Sequence, residues 1–128
     1  MDFFGSHINA PVQLRFGGID DVQVYADRVT TDLKLPDVRI RNRKGGSRAH
    51  YEAGEPSSVI AIPTGEPWAM RESVLLHEIA HHACVSESRN VRHDRQFTSM
   101  MLFLVERQLG SEAALLLRTG YLAGGVPV

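Results

Sequence analysis

Leu75-Leu76-His77-Glu78-Ile79-Ala80-His81-His82 is the stretch in which residue types and spacing converge on one chemistry. In a helix His77 and His81 are i and i+4, so their imidazoles share a face with Cβ atoms about 5–6 Å apart, close enough to hold one ion. Imidazole nitrogen suits zinc, and a catalytic zinc takes three protein ligands and leaves its fourth position to water. Downstream, Cys84 and His93 are the donors that would complete the set. His93 is the expected third ligand, because the eleven residues between it and His81 let a loop swing back from the end of the helix. Glu78, beside the same face, stands where a general base toward water is needed.

The neighbouring residues divide by geometry. His82 projects about 100° away from His81 around the helix, which predicts a surface or supporting role and not ligation. Cys84 follows His77 by seven residues, nearly on the metal face, and reads as a small buried apolar residue with ligation as the alternative. Asp94 has two readings, a hydrogen bond to the free ring nitrogen of a ligand or a cap on the next helix. Tyr121, Arg95 and His50 are candidates for a donor to a developing oxyanion. Together with His7, His50 and His82 are otherwise expected to be structural or solvent-facing.

The elements that must position these groups are legible in outline. Ile19, Val22, Val24, Tyr25, Val29 and Leu33 have mostly helical spacing, with Asp20 and Asp21 suited to a helix N-terminus and Pro36 as a stop. Val38-Arg39-Ile40-Arg41-Asn42-Arg43 alternates, Gly45-Gly46-Ser47 supplies turn chemistry, and Arg48 to Glu52 runs back, which predicts a hairpin. Ser58 to Ile62 predicts a third strand, placed at the sheet edge because Pro63 follows it. Such an edge would accept an extended peptide by strand addition. Helical spacing then returns from Trp68 to about Cys84, with Trp68 anchoring its start, and from Asp94 to Leu109, where Met100 and Met101 read as core filler. Gly110 closes that helix, and a last one runs from Ser111 as N-cap through Leu115, Leu116 and Leu117 to about Tyr121.

Composition bounds the rest. The 128 residues are 43% hydrophobic and 23% charged, the make-up of one globular domain over 1–128, with 1–17 expected as a flexible N-terminal segment. A single Cys excludes an internal disulfide framework and a Cys-rich zinc finger. With 14 Lys+Arg against 15 Asp+Glu, general coating of nucleic acid or of an anionic membrane is disfavoured. Arg39, Arg41, Arg43, Lys44 and Arg48 nonetheless cluster without an acid between them, either a solvated strand face or a contact for nucleic acid or an acidic protein. No apolar run approaches the roughly 18 residues that span a bilayer, so no membrane association is expected and the expected location is cytoplasmic. The order of helix, three strands and three helices predicts an α+β fold.

His77-Glu78-Ile79-Ala80-His81 followed by His93-Asp94-Arg95-Gln96-Phe97 resembles the zincin core of the SprT-like and WLM-type metalloproteases, and that of small metallohydrolase-like proteins of actinobacteria and their phages. The resemblance covers roughly residues 58 to 109. It implies a minimal zincin-like fold, with a small antiparallel or mixed sheet of about three strands packed on the His-Glu-x-x-His helix and two or three others. It also implies one Zn2+ held by His77, His81 and His93, Glu78 as general base, Phe97 packed beneath the third ligand, and a protein or peptide as substrate. The rival expectations are an ImmA-like regulator-cleaving protease, a catalytically silent zinc-stabilised interaction module, and a protease activated by DNA on the basic strands.

Overall fold

The computed structural model describes residues 13–45, 48–88, 95–126 and 128. Within them the chain forms α1 (Ile19–Asp32), β1 (Val38–Asn42), β2 (His50–Glu52), β3 (Ser58–Ile62), a 3-10 turn (Pro67–Ala69), α2 (Glu72–Ser88), α3 (Arg95–Leu109) and α4 (Ser111–Ala123). The α+β class is as expected.

α1 buries Val22, Tyr25, Ala26, Val29 and Thr30, a stripe of helical period, while Val24 faces solvent. Asp20 and Asp21 occupy its first turn, where the helix dipole favours negative charge. Its end is a paired set of backbone bonds, Lys34 N–H to Thr31 C=O (3.2 Å) and Leu35 N–H to Thr30 C=O (2.8 Å), with Lys34 left-handed at φ 57°. Pro36 therefore follows a helix that has already closed.

The three strands lie in the order β1-β3-β2, β1 parallel and β2 antiparallel to β3. This corrects two expectations. β1 and β2 form no hairpin with each other, and β3 is the central strand, not an edge. Ile60, Ala61 and Ile62 have no exposed surface, and a strand buried on both faces belongs in the middle of a sheet. Pro63 does not oppose this, because the ladder toward β1 closes at Ile62, whose carbonyl accepts the Arg43 N–H at 2.9 Å. Charge agrees with the order. A direct hairpin would have set basic β1 beside Arg48, whereas with β3 between them Arg41 reaches Glu52 of β2 at 2.8 Å.

Val38, Ile40, Ile60 and Ile62 join the core beneath α1 and α2; α1 packs on β1, and α2 on β2 and β3. α2 is the central helix, with Leu75, Leu76, Ile79, Ala80 and Ala83 all at 0% exposure, so it is covered on nearly every side. It begins four residues later than expected and runs to Ser88; Trp68 lies in the preceding 3-10 turn, half-exposed, and its carbonyl accepts Arg71 Nε at 2.8 Å. Residues 13–16, expected to be part of a flexible segment, are tied to that helix start. Phe16 N–H donates to Met70 C=O (2.8 Å), Glu72 N–H to Leu14 C=O (2.9 Å) and Ser73 N–H to Gln13 Oε1 (2.7 Å). The last bond satisfies one of the free N–H groups of the first turn from outside the helix. Residues 1–12, with His7, lie outside the described residues.

α3 buries Phe97, Thr98, Met101, Leu104 and Val105, and α4 buries Ala113, Leu117 and Tyr121. Leu115 and Leu116 are exposed, because the buried stripe of α4 follows 113, 117 and 121. The N-cap is Gly110, not Ser111; its φ of 102° turns the chain sharply between α3 and α4, a conformation open to glycine.

Candidate metal centre

His77 and His81 lie one turn apart on α2, both half-buried, with ring centroids 5.1 Å apart and planes at 75°. Glu78 is buried beside them. Phe97, in the first turn of α3, is the floor of this pair. Its ring centroid is 5.1 Å from that of His77 and 4.5 Å from that of His81, so one aromatic side chain contacts both imidazoles. The resemblance implied Phe97 beneath the third ligand; in the fold it packs against the first two. His93 and Asp94 lie outside the described residues, two positions and one position ahead of the start of α3. Among the described residues no group of three His, Cys, Asp or Glu side chains is arranged to hold a metal.

Cys84 is a buried thiol outside any disulfide, further along α2, as expected of a small apolar residue. Of the three oxyanion candidates, Tyr121 is buried in α4 and Arg95 is exposed at the start of α3. His50 sits across β3 in register with Ala61 and hence Arg41. Its Nδ1 is 2.9 Å from Arg43 Nη1 and its Nε2 is 3.4 Å from Glu52 Oε2, so it belongs to the basic outer face of the sheet. Strand alternation turns the next residue, Tyr51, the opposite way, toward α2.

That side chain meets His82. His82 is 1% exposed, which excludes the surface role and leaves the supporting one. Its Nε2 lies 2.6 Å from the Pro36 carbonyl, and its Nδ1 lies 2.9 Å from Tyr51 Oη, which is also 2.9 Å from Ser58 Oγ. A carbonyl only accepts, so Nε2 donates to Pro36, and Nδ1 and Ser58 Oγ are the two hydrogen-bond partners of the Tyr51 hydroxyl. Burial pushes the Tyr51 phenol upward, opposed by its bond to Ser58, so the hydroxyl remains a donor at neutral pH. Tyr51 escaped attention in the sequence, although its alternation with His50 and Glu52 already set it on the face opposite theirs.

Two other polar side chains hold the frame. Glu72, buried at the start of α2, accepts the Tyr25 hydroxyl on Oε2 and the Leu14 N–H on Oε1 at 3.0 Å. Desolvation, reinforced by this carboxylate, drives the Tyr25 phenol far above its ordinary range. Gln23 of α1 donates to the Val38 carbonyl (2.9 Å) and accepts the Ile40 N–H (2.8 Å) on the outward edge of β1. Buried Glu72 and half-buried Gln23 are thereby both paired, as polar groups withdrawn from water must be.

The basic cluster is partly neutralised. Arg41 pairs with Glu52, whose carboxyl it holds below the usual range together with His50, and Arg43 donates to the Arg48 carbonyl at 3.1 Å. Arg39, Lys44 and Arg48 are exposed. Among the described residues no helix is long and apolar enough to cross a membrane. Comparison of the chain with protein-family models, with curated proteins and with solved structures found no match.

Proposed function

We propose that this protein is a zinc-dependent peptidase of zincin type, with His77, His81 and His93 as metal ligands and Glu78 as general base. The observation that carries the reading is the mutual placement of the two rings on α2. Two imidazoles bound to one tetrahedral zinc at about 2.0–2.1 Å have their centroids about 5 Å apart; those of His77 and His81 are 5.1 Å apart and rest on a common floor. The third ligand is the expectation from sequence, two residues before α3 begins.

Zinc, when bound, lowers the pKa of a coordinated water toward about 7 and polarises a carbonyl. The chain's own part is proton handling and positioning. Glu78, adjacent to His77 and shielded from solvent, takes a proton on its carboxylate as water attacks and returns it to the leaving amine. A purely structural metal site needs no such base, which favours the enzymatic reading over the silent module.

Substrate placement falls to the edges of the sheet, since β3 is central and cannot accept a further strand. Of the outward backbone groups of β1, the Val38 C=O and the Ile40 N–H are occupied by Gln23. On β2 they are open. Ile62 C=O faces β1, so by alternation Val59 and Ala61 face β2 and pair with Glu52 and His50, leaving the N–H and C=O of Tyr51 turned outward. No described group takes either. An extended peptide pairing there runs alongside α2, and recognition through main-chain atoms makes few demands on its side chains.

The test is metal content with cleavage. Purified protein should carry about one zinc per chain, lost when His77, His81 or His93 is replaced by Ala, and Glu78→Gln should retain the metal while losing hydrolysis of an unfolded protein. Full metal content in all three His variants would remove the ligand assignment, and activity in Glu78→Gln would remove the base.

A further inference from the structure

The geometry points to His82 as a positioning residue: through Tyr51 it fixes the open edge of β2 against the helix that carries His77 and His81, and so sets the register of a bound polypeptide segment. This rests on the peptidase reading above and says how its substrate is aligned.

Tyr51 does two things at once. Its main-chain N–H and C=O face outward at the sheet edge, while its side chain turns inward to α2. There the hydroxyl bonds His82, the residue next to His81, so a single side-chain contact connects the segment that would hold a peptide to the segment that would hold the metal. β2 is only three residues long and, among the described residues, is paired on one side only, so its own ladder constrains it weakly. The imidazole is itself fixed from the other side by the Pro36 carbonyl, at the entrance to β1, and is buried. A buried His with both ring nitrogens engaged is a rigid spacer, and near-attack geometry tolerates little displacement of the scissile bond. The Ser58 contact with Tyr51 lies within the sheet and leaves the distance between β2 and α2 untouched.

The experiment uses zinc-loaded full-length protein and carboxymethylated casein as the unfolded probe, comparing wild type with Tyr51→Phe, His82→Gln, the double variant and Ser58→Ala. His82→Gln keeps an amide donor for Pro36 and loses the ring nitrogen that meets Tyr51. Both single variants should keep one zinc per chain, raise KM about tenfold with a smaller change in kcat, and speed hydrogen exchange at the His50 and Glu52 amides about tenfold with α2 unchanged. The double variant should be no worse than either single one, the mark of one shared contact, and Ser58→Ala should keep the wild-type KM. Wild-type KM in Tyr51→Phe and His82→Gln, or a loss in kcat alone that follows the folded fraction, overturns the positioning role while the peptidase reading stands. A zinc-loaded wild type that cleaves nothing fails the peptidase reading itself, and the positioning role with it.

Discussion

Gln23→Leu removes the side chain that occupies the Val38 C=O and the Ile40 N–H on the outer edge of β1, keeps its bulk, and gives a magnitude that follows from the contacts. The carboxamide makes two bonds to the strand, to Val38 C=O and Ile40 N–H, and a third to exposed Asp27 Oδ1 at 2.9 Å. Each strand bond contributes about 1 kcal/mol net, and losing the partner leaves two half-covered backbone groups to find water or go unpaired. The Asp27 contact, in solvent, adds little. The expected loss is about 2–3 kcal/mol, which for a chain of this length lowers Tm by roughly 7–11 °C. Urea unfolding should show a lower midpoint with unchanged slope, since the surface exposed on unfolding is the same. Native-state hydrogen exchange supplies the local reading. The Ile40 amide faces away from the sheet and is protected in wild type by Gln23, so its protection should vanish in the variant while that of Arg41, which faces β3, persists. A loss below about 0.5 kcal/mol with Ile40 still protected would refute the assignment of Gln23 as a substitute for a neighbouring strand.

Two further outcomes are expected. Lys34→Gly should raise stability by about 1 kcal/mol, because Lys34 occupies left-handed backbone at φ 57° that an L side chain enters at a cost, and thermal unfolding reads the gain. Asp32→Asn should flatten the acid limb of the stability curve. The Arg107 guanidinium, bonded to both Asp32 oxygens at 2.6 and 3.0 Å, holds that carboxyl below its ordinary value. Between the folded and unfolded pKa the unfolded chain binds more protons, so stability rises with pH there. The contribution is fully present above the unfolded Asp value of about 3.9 and disappears as pH falls through the folded one; acid titration by circular dichroism, with no difference between Asn and Asp at position 32, would count against the pair.

Much of the helical half was legible because helix formation is decided by residues three and four apart. The pairing of His77 with His81 and the buried stripes at 22-25-29 and 97-101-104 follow from that spacing, whereas the contact of both imidazoles with Phe97 is a tertiary one between α2 and α3. Errors within helices came at their ends and on weakly amphipathic faces. α2 starts at Glu72 because residues 70 to 73 are engaged by Gln13, Leu14 and Phe16, a long-range pairing with no local signature. In α4 the run Leu115-Leu116-Leu117 turns through 200°, so only one of the three can be deeply buried, and the sequence alone does not say which.

By itself, then, the sequence determined the class of the fold, the helix that brings two imidazoles and a carboxylate to one place, and the chemistry those groups can support. Only the tertiary structure decided which strand is central, which edge is already occupied and which is open, and where His82 and Tyr51 point. The physical reason is the range of the interactions. A helix closes its hydrogen bonds within four residues, whereas a sheet chooses among distant partners by total burial and charge. That choice set Ile60, Ala61 and Ile62 in the middle, capped β1 with Gln23 from α1, and left β2 as the edge that meets α2 through Tyr51 and His82.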